Sequence, residues 1–236
     1  MTIEFVHEST VKTIAISRPV AGIGFDDIDL LPVNAARVSA TGFSTYYSNK
    51  DSGLEKRLIS DMHGTPFEHA TMTFLIECPL FVNAQWHTHR WSSFNQESGR
   101  YTEMLPRFYV PHEDGWRLQP EKRMNYVYDA ADEVLGSKAS AIVKAFCEEQ
   151  WDAYRLLLSN GIAREQARMV LPENIMTRFW WTANLRSIAN FLFLRTDEHA
   201  QREMRDAAIL IEKEVACYFP KFYNAWVEAG RKAIGA

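Results

Sequence analysis

The stretch IMTRFWWTANLRSIANFLFLR, Ile175 to Arg195, decides the fold class. Its first ten residues are aromatic and β-branched, the composition of a strand that fits a pleated, half-buried surface. Asn184 closes that run, and asparagine is a preferred cap because its side-chain oxygen accepts an early backbone N–H. From Leu185 to about Arg195 nothing breaks a helix, and Arg186 and Asn190 stand one turn apart on it. A strand running straight into a capped helix predicts a chain in which the two element types alternate.

Working outward, Val11 to Ser17 reads as a short strand, and Leu31 to Arg37 as a helix. His69 to Cys78 (HATMTFLIEC) reads as a substantially buried strand. A helix is expected to follow with Pro79 in its first turn, running through LFVNAQWHTHR because no breaker occurs before Gly99. That places Gln85 and His89 on one helical face. Pro111 to Arg123 is loop-like and has the composition of a lid. Met124 to Ser159 has helical spacing with a break expected at Gly136-Ser137. IAREQARMVL predicts a helix stopping before Pro172, with Arg164 and Arg168 on one face. A last helix, Glu198 to Tyr218, is expected to end at Pro220. Strands and helices are interspersed with helix dominating, an α+β pattern.

With 236 residues, the chain is long enough for one large core, and no linker or repeat divides it. Its 47% hydrophobic and 24% charged residues are ordinary for a globular protein. A net charge of -4 argues against a nucleic-acid-coating protein. Arg outnumbers Lys 17 to 9, a bias toward planar forks that grip phosphate and carboxylate. No signal peptide or membrane-spanning run is visible, so a cytoplasmic protein is expected. Cys78, Cys147 and Cys217 are widely spaced among apolar or aromatic neighbours and read as buried free thiols.

The densest polar cluster runs from Gln85 to Tyr101 (QWHTHRWSSFNQESGRY) and follows a buried strand, a placement that lets a rigid scaffold position a site. A solvated helix and turn is the alternative reading. His87, His89, His63 and His69 do not make a metal pattern, because helical residues two apart diverge and no Asp or Cys completes a ligand set. Ser98 lacks a triad context and reads as a hydroxyl in the turn before Gly99. Exposed amides at Ser98-Gly99, with Arg90 and Arg100 nearby, suit a phosphate.

This cluster resembles the signature of the flavin-dependent thymidylate synthases, Arg-His-Arg, seven residues, then Ser; here Thr88-His89-Arg90 precedes Ser98 by that interval. The resemblance extends to AARVS (35–39), HGTPFEHA (63–70), AREQARMVLP (163–172), TRFWWTANLRS (177–187) and NFLFLRTDEHAQ (190–201). It implies a mixed, mainly antiparallel sheet packed with long helices, in a single domain over 1–236 that assembles as a homotetramer with shared active sites. It further implies dUMP contacts at Gln85, Trp86, His87, Thr88, Gln96, Glu97, Ser98, Gly99, Arg100, Arg168 and Arg195. FAD contacts are implied at Thr65, Thr88, His89, Arg90, Gln96, Asn184, Leu185, Arg186, Asn190 and His199.

Two positions depart from the family: Thr88 replaces the first Arg, and Gln96 stands where a Glu is usual. The lost cation either lowers affinity or is made good by a neighbour, with His87 and Arg107 as the candidates in sequence. As the resemblance implies, NADPH reduces FAD, reduced flavin supplies the hydride, methylenetetrahydrofolate supplies the carbon, and Arg195 is the catalytic side chain. Without the resemblance Arg195 reads as a helix C-terminal cation. No cysteine sits in the electropositive setting that a thiolate route to thymine needs. Two other readings remain open: a flavoprotein that oxidises NADPH or handles another nucleotide, and a non-enzymatic nucleotide binder.

Overall fold

The strand-to-helix junction forms as its residues dictate. In the computed structural model, which describes residues 2–40, 42–121 and 128–235, strand β6 (Met176–Asn184) runs directly into helix α6 (Leu185–Arg195). Asn184 Oδ1 accepts the backbone N–H of Ser187 at 2.8 Å, the cap its residue type predicts. Along β6 the aromatic pair splits by the two-residue period: Trp181 is buried and Trp180 exposed.

The remaining strands are β1 (Glu4–Val6), β2 (Thr10–Ile16), β3 (Thr71–Pro79), β4 (Ser93–Gln96) and β5 (Arg107–Tyr109). A four-stranded antiparallel sheet has the order β2-β3-β6-β4, and β1 pairs with β5 in a separate parallel ribbon. The other helices are α1 (Leu30–Arg37), α2 (Asn49–Ser60), α3 (Leu80–Trp86), α4 (Glu133–Ser159), α5 (Arg164–Ala167), α7 (Arg202–Tyr218) and α8 (Pro220–Glu228). The α+β class is therefore as expected.

Four expectations change. First, the helix after Pro79 stops at Trp86, so Gln85 and His89 do not share a helical face. Thr88 closes it by giving both its amide and its hydroxyl to the Gln85 carbonyl, at 3.3 and 2.7 Å. Second, α4 is continuous through Gly136; it starts at Glu133 behind the cap Asp132, whose carboxylate accepts Leu135 N–H at 2.8 Å. The expected start at Met124 lies outside the described residues. Third, the IAREQARMVL helix is shorter than expected: α5 ends at Ala167 and a 3-10 turn takes over at Arg168. Fourth, α7 ends at Tyr218, ahead of Pro220 as expected, but it is not the last helix. Pro220 opens α8 from the first turn, where its missing N–H costs nothing.

The chain divides into two compact units of non-contiguous segments. The first (1–10, 77–88 and 96–179) has a core of Phe108, Cys147, Trp151, Tyr154, Ala167 and Ile175. The second (11–76, 89–95 and 180–236) centres on α6 and its neighbours, with Trp181 packed on Phe74 at 5.6 Å and on Phe191 at 4.9 Å. Cys78 and Cys147 are buried, and burial pushes both thiols up; Cys217, expected to be buried, is exposed on α7.

Candidate active site

In the first unit, α3 and the turn after β4 gather most of the residues expected to hold the nucleotide. Trp86 is fully buried, edge-on to Phe179 at 5.5 Å, so it supports the site from the core. The His87 ring leans on the same Phe179 at 6.1 Å. Gln96 donates from Nε2 to Thr177 Oγ1 at 2.9 Å. Glu97 accepts the backbone N–H and Nε of Arg178, at 3.0 and 3.2 Å. Ser98 Oγ accepts Arg100 N–H at 3.3 Å, so this hydroxyl organises the turn as an acceptor.

Gly99 is where a glycine is needed for space: a Cβ there would lie 3.2 Å from Arg168 Cδ and 3.0 Å from Met104 Sδ. The Arg168 side chain therefore runs against the Gly99 backbone. Arg168 is exposed and makes no ion pair among the described residues. Its neighbours are committed, Arg100 to Glu165 at 3.0 Å and Arg164 to Glu103 at 3.8 Å. A guanidinium with no ion pair among the described residues, beside turn amides, is suited to an anionic group. The expected compensation by Arg107 does not hold, since Arg107 is paired with Glu4 at 2.8 Å and also with Glu77.

The second unit holds the residues expected to contact the cofactor, except Thr88 and Gln96, which belong to the first. His89, Arg90, Trp91, Ser92, Trp181, Ser187, Asn190 and Gly235 line a cavity of about 220 Å³. Arg195, the last residue of α6, donates from Nε to His89 Nε2 at 2.9 Å, and the His89 ring stands edge-on to Phe191 at 4.9 Å. Burial, then the Arg195 cation, lowers the His89 pKa to about 4. His89 is thus a neutral imidazole with Nδ1 protonated, which leaves Nε2 to accept the guanidinium.

Arg186 lies across Gly64, where a Cβ would come within 2.6 Å of its Nε, and its guanidinium sits 4.7 Å over the Trp91 ring. Asn184 is engaged in its cap. Leu185 is fully buried and donates its N–H to the Ala70 carbonyl at 2.9 Å. Thr65 opens a 3-10 turn at the surface. His199 is exposed and bonded to Asp197, which accepts its backbone N–H at 2.9 Å and faces its ring at 2.8 Å; neither Thr65 nor His199 lines the cavity.

The cavity's donor set fits a dinucleotide with flat rings and phosphates. Trp91, exposed and covered on one face by Arg186, offers an aromatic ring, and Arg90 makes no ion pair among the described residues. Ser187 Oγ is buried without a hydrogen-bond partner among those residues, a polar atom that a ligand can satisfy. Trp91, Ser92, Trp181, Ser187 and Gly235 escaped the sequence reading, because single aromatic, serine or glycine residues carry no spacing signal until the fold gathers them.

Residues 25–221 match the family described as "Thymidylate synthase complementing protein". The flavin-dependent thymidylate synthase of Thermosipho africanus is 42% identical over 184 residues, covering 78% of this chain and 79% of its own length. That of Tropheryma whipplei (strain TW08/27) is 34% identical across 97% of this chain and 96% of its own. Among solved structures, a UMP/dUMP methylase, PolB, from Streptomyces cacaoi bound with 5-Br UMP superimposes with a TM-score of 0.86 at 34% identity, covering 98% of this chain and 99% of that one. The same enzyme bound with 5-Br dUMP gives 0.87 at 32% identity. Matches this extensive, on a chain that gathers the signature residues into two polar sites, place it among the flavin-dependent thymidylate synthases, enzymes that use FAD, with NADPH and methylenetetrahydrofolate as co-substrates.

Proposed function

We propose that this chain converts dUMP to dTMP, with methylenetetrahydrofolate as carbon donor, FAD as hydride carrier and NADPH as reductant. The observation that carries the reading is the Arg195–His89 pair, whose imidazole lines the cavity that carries the polar groups suited to the cofactor. Bound FAD, once reduced, supplies the hydride that turns the added one-carbon unit into a methyl group. The protein's part is placement and electrostatics. Arg195 stabilises negative charge developing on the pyrimidine at N3 and its adjacent carbonyl, which favours attack by C5. His89, neutral and accepting from Nε, fixes the orientation of that guanidinium. Arg90 and Ser187 hold the cofactor's polar groups, and Arg168 with the Ser98–Arg100 turn holds the nucleotide phosphate.

The test is release of tritium from 5-labelled dUMP, expected only with NADPH and methylenetetrahydrofolate together. NADPH oxidation without release would mark an oxidase instead. Arg168→Ala is expected to weaken dUMP binding about tenfold to a hundredfold, as loss of a charge-assisted phosphate contact does, read by calorimetry. Unchanged affinity removes Arg168 from the nucleotide site. UMP is the second substrate to assay, because the similar PolB structures were solved with both a UMP and a dUMP analogue.

The reading takes 1–236 as a single domain acting in the cytoplasm; among the described residues no helix is long and apolar enough to cross a membrane. It includes a homotetramer, supported by α4, where Leu135, Ile142, Phe146 and Leu156 are exposed along one heptad-spaced stripe. Phe146→Glu is expected to yield a smaller particle by light scattering; an unchanged mass takes this stripe out of the interface.

A further inference from the structure

Two of the side chains expected to contact the cofactor, Arg186 and Asn190, are already engaged by the chain's own backbone. Asn190 Oδ1 accepts the Ile234 N–H at 2.6 Å, and Asn190 Nδ2 donates to the Ile234 carbonyl at 3.2 Å. Arg186 Nε donates to the same carbonyl at 3.1 Å, and its Nη2 donates to the Gly235 carbonyl. The segment that makes these bonds turns back after α8 through left-handed Gly230 and Arg231, and the Lys232 carbonyl is held by Trp226 Nε1 at 2.8 Å. Ile234 is fully buried, and Gly235 forms one wall of the cavity. At about 220 Å³ the cavity falls short of the roughly 300–1,000 Å³ usual for small-molecule sites.

We infer that residues 232–235 compete with FAD for Arg186 and Asn190, so that this segment sets the cofactor's affinity. The inference rests on the cofactor reading above. A ligand that uses these two side chains has to displace the Ile234 and Gly235 backbone groups, and the free energy of breaking those bonds is subtracted from its binding. Gly235 is the point of least tolerance: its φ is +58°, and a Cβ there would lie 3.1 Å from the Met62 carbonyl and 3.2 Å from the Arg186 guanidinium. A side chain at 235 therefore presses on the Met62 carbonyl and the Arg186 guanidinium and lifts the segment, while residues 186 and 190 themselves stay unsubstituted.

The experiment titrates FAD into flavin-stripped wild-type protein and Gly235→Val, following quenching of flavin fluorescence, after circular dichroism has shown both folded. The variant is expected to bind about tenfold more tightly, equivalent to removing about 1.4 kcal/mol of competing hydrogen bonds. In the wild type, adding FAD is expected to speed hydrogen exchange at the Ile234 amide, a readout that needs no variant. Equal or weaker affinity in a folded Gly235→Val, or slower Ile234 exchange with FAD, overturns the competition and makes the segment a part of the bound site. Absence of quenching in both proteins overturns the cofactor reading itself, and the competition with it.

Discussion

Replacing Arg195 by alanine is expected to slow tritium release from 5-labelled dUMP by about 10²–10³-fold, the usual cost of removing one preorganised charge-stabilising donor. The geometry explains why the loss should fall on the chemical step. Arg195 ends α6 with its Nε bonded to a neutral His89, so the side chain is oriented before any substrate arrives. A protonated His89 would present no acceptor and a like charge; burial keeps its pKa at about 4, far from the working range of most enzymes. The competing account, a cation placed only to favour the C-terminus of α6, is worth about 0.3–1 kcal/mol of stability and nothing in rate. Arg195→Ala with a normal FAD spectrum, slightly lowered melting and an undiminished rate would leave that account standing. Arg195→Lys, which keeps the charge and loses the planar fork, is expected to recover part of the rate.

The second large effect concerns stability and lies away from both sites. Glu55 on α2 is fully buried, accepts the Tyr47 hydroxyl on Oε2, and leaves Oε1 without a partner among the described residues. Burial first, then the charges of Asp29, Asp51 and Asp27, raises its pKa from 4.5 to about 8. Asp29 is likewise raised from 3.8 to about 6, chiefly by burial. Between those ordinary and folded values the folded state holds protons that the unfolded chain has released. The stabilisation is therefore complete at low pH and is lost as pH rises, for Glu55 across the window from 4.5 to about 8.

For Glu55 alone the full loss is about 5 kcal/mol, a large share of the stability of an ordinary domain. Urea unfolding of the wild type should show a falling midpoint across that window. Glu55→Gln, which keeps the shape of the protonated acid, should flatten the fall. Parallel curves for the two proteins would show that Glu55 is not the responsible group.

How much of this was legible in sequence depended on whether a signal was local. The β6–α6 junction was, because its composition, cap and period all lie within Ile175 to Arg195. The end of α3 was not: nothing in WHTH forbids a helix, and the stop comes from Thr88 bonding back to Gln85. Helix α2 was missed for its charges and Gly53, although Ser48 and Asp51 form a capping box, with Ser48 N–H on Asp51 Oδ2 at 2.9 Å. In the site, Arg168 beside Gly99 and Arg195 beside His89 were named residue by residue. The ion pairs of Arg107 and the return of Ile234 to Asn190 join positions 30 to 103 residues apart or depend on a buried backbone, and no spacing rule reaches them.

Gly136 sits one turn into a 27-residue helix, where a helix breaker was expected to act. A Cβ at this position would lie 2.0 Å from the Glu113 carbonyl, in the 3-10 turn Glu113–Gly115. Residue 136 and that turn are therefore coupled in mutational space. Any side chain at 136 requires the turn to be rebuilt in the same step, so a library that varies position 136 alone should return only glycine.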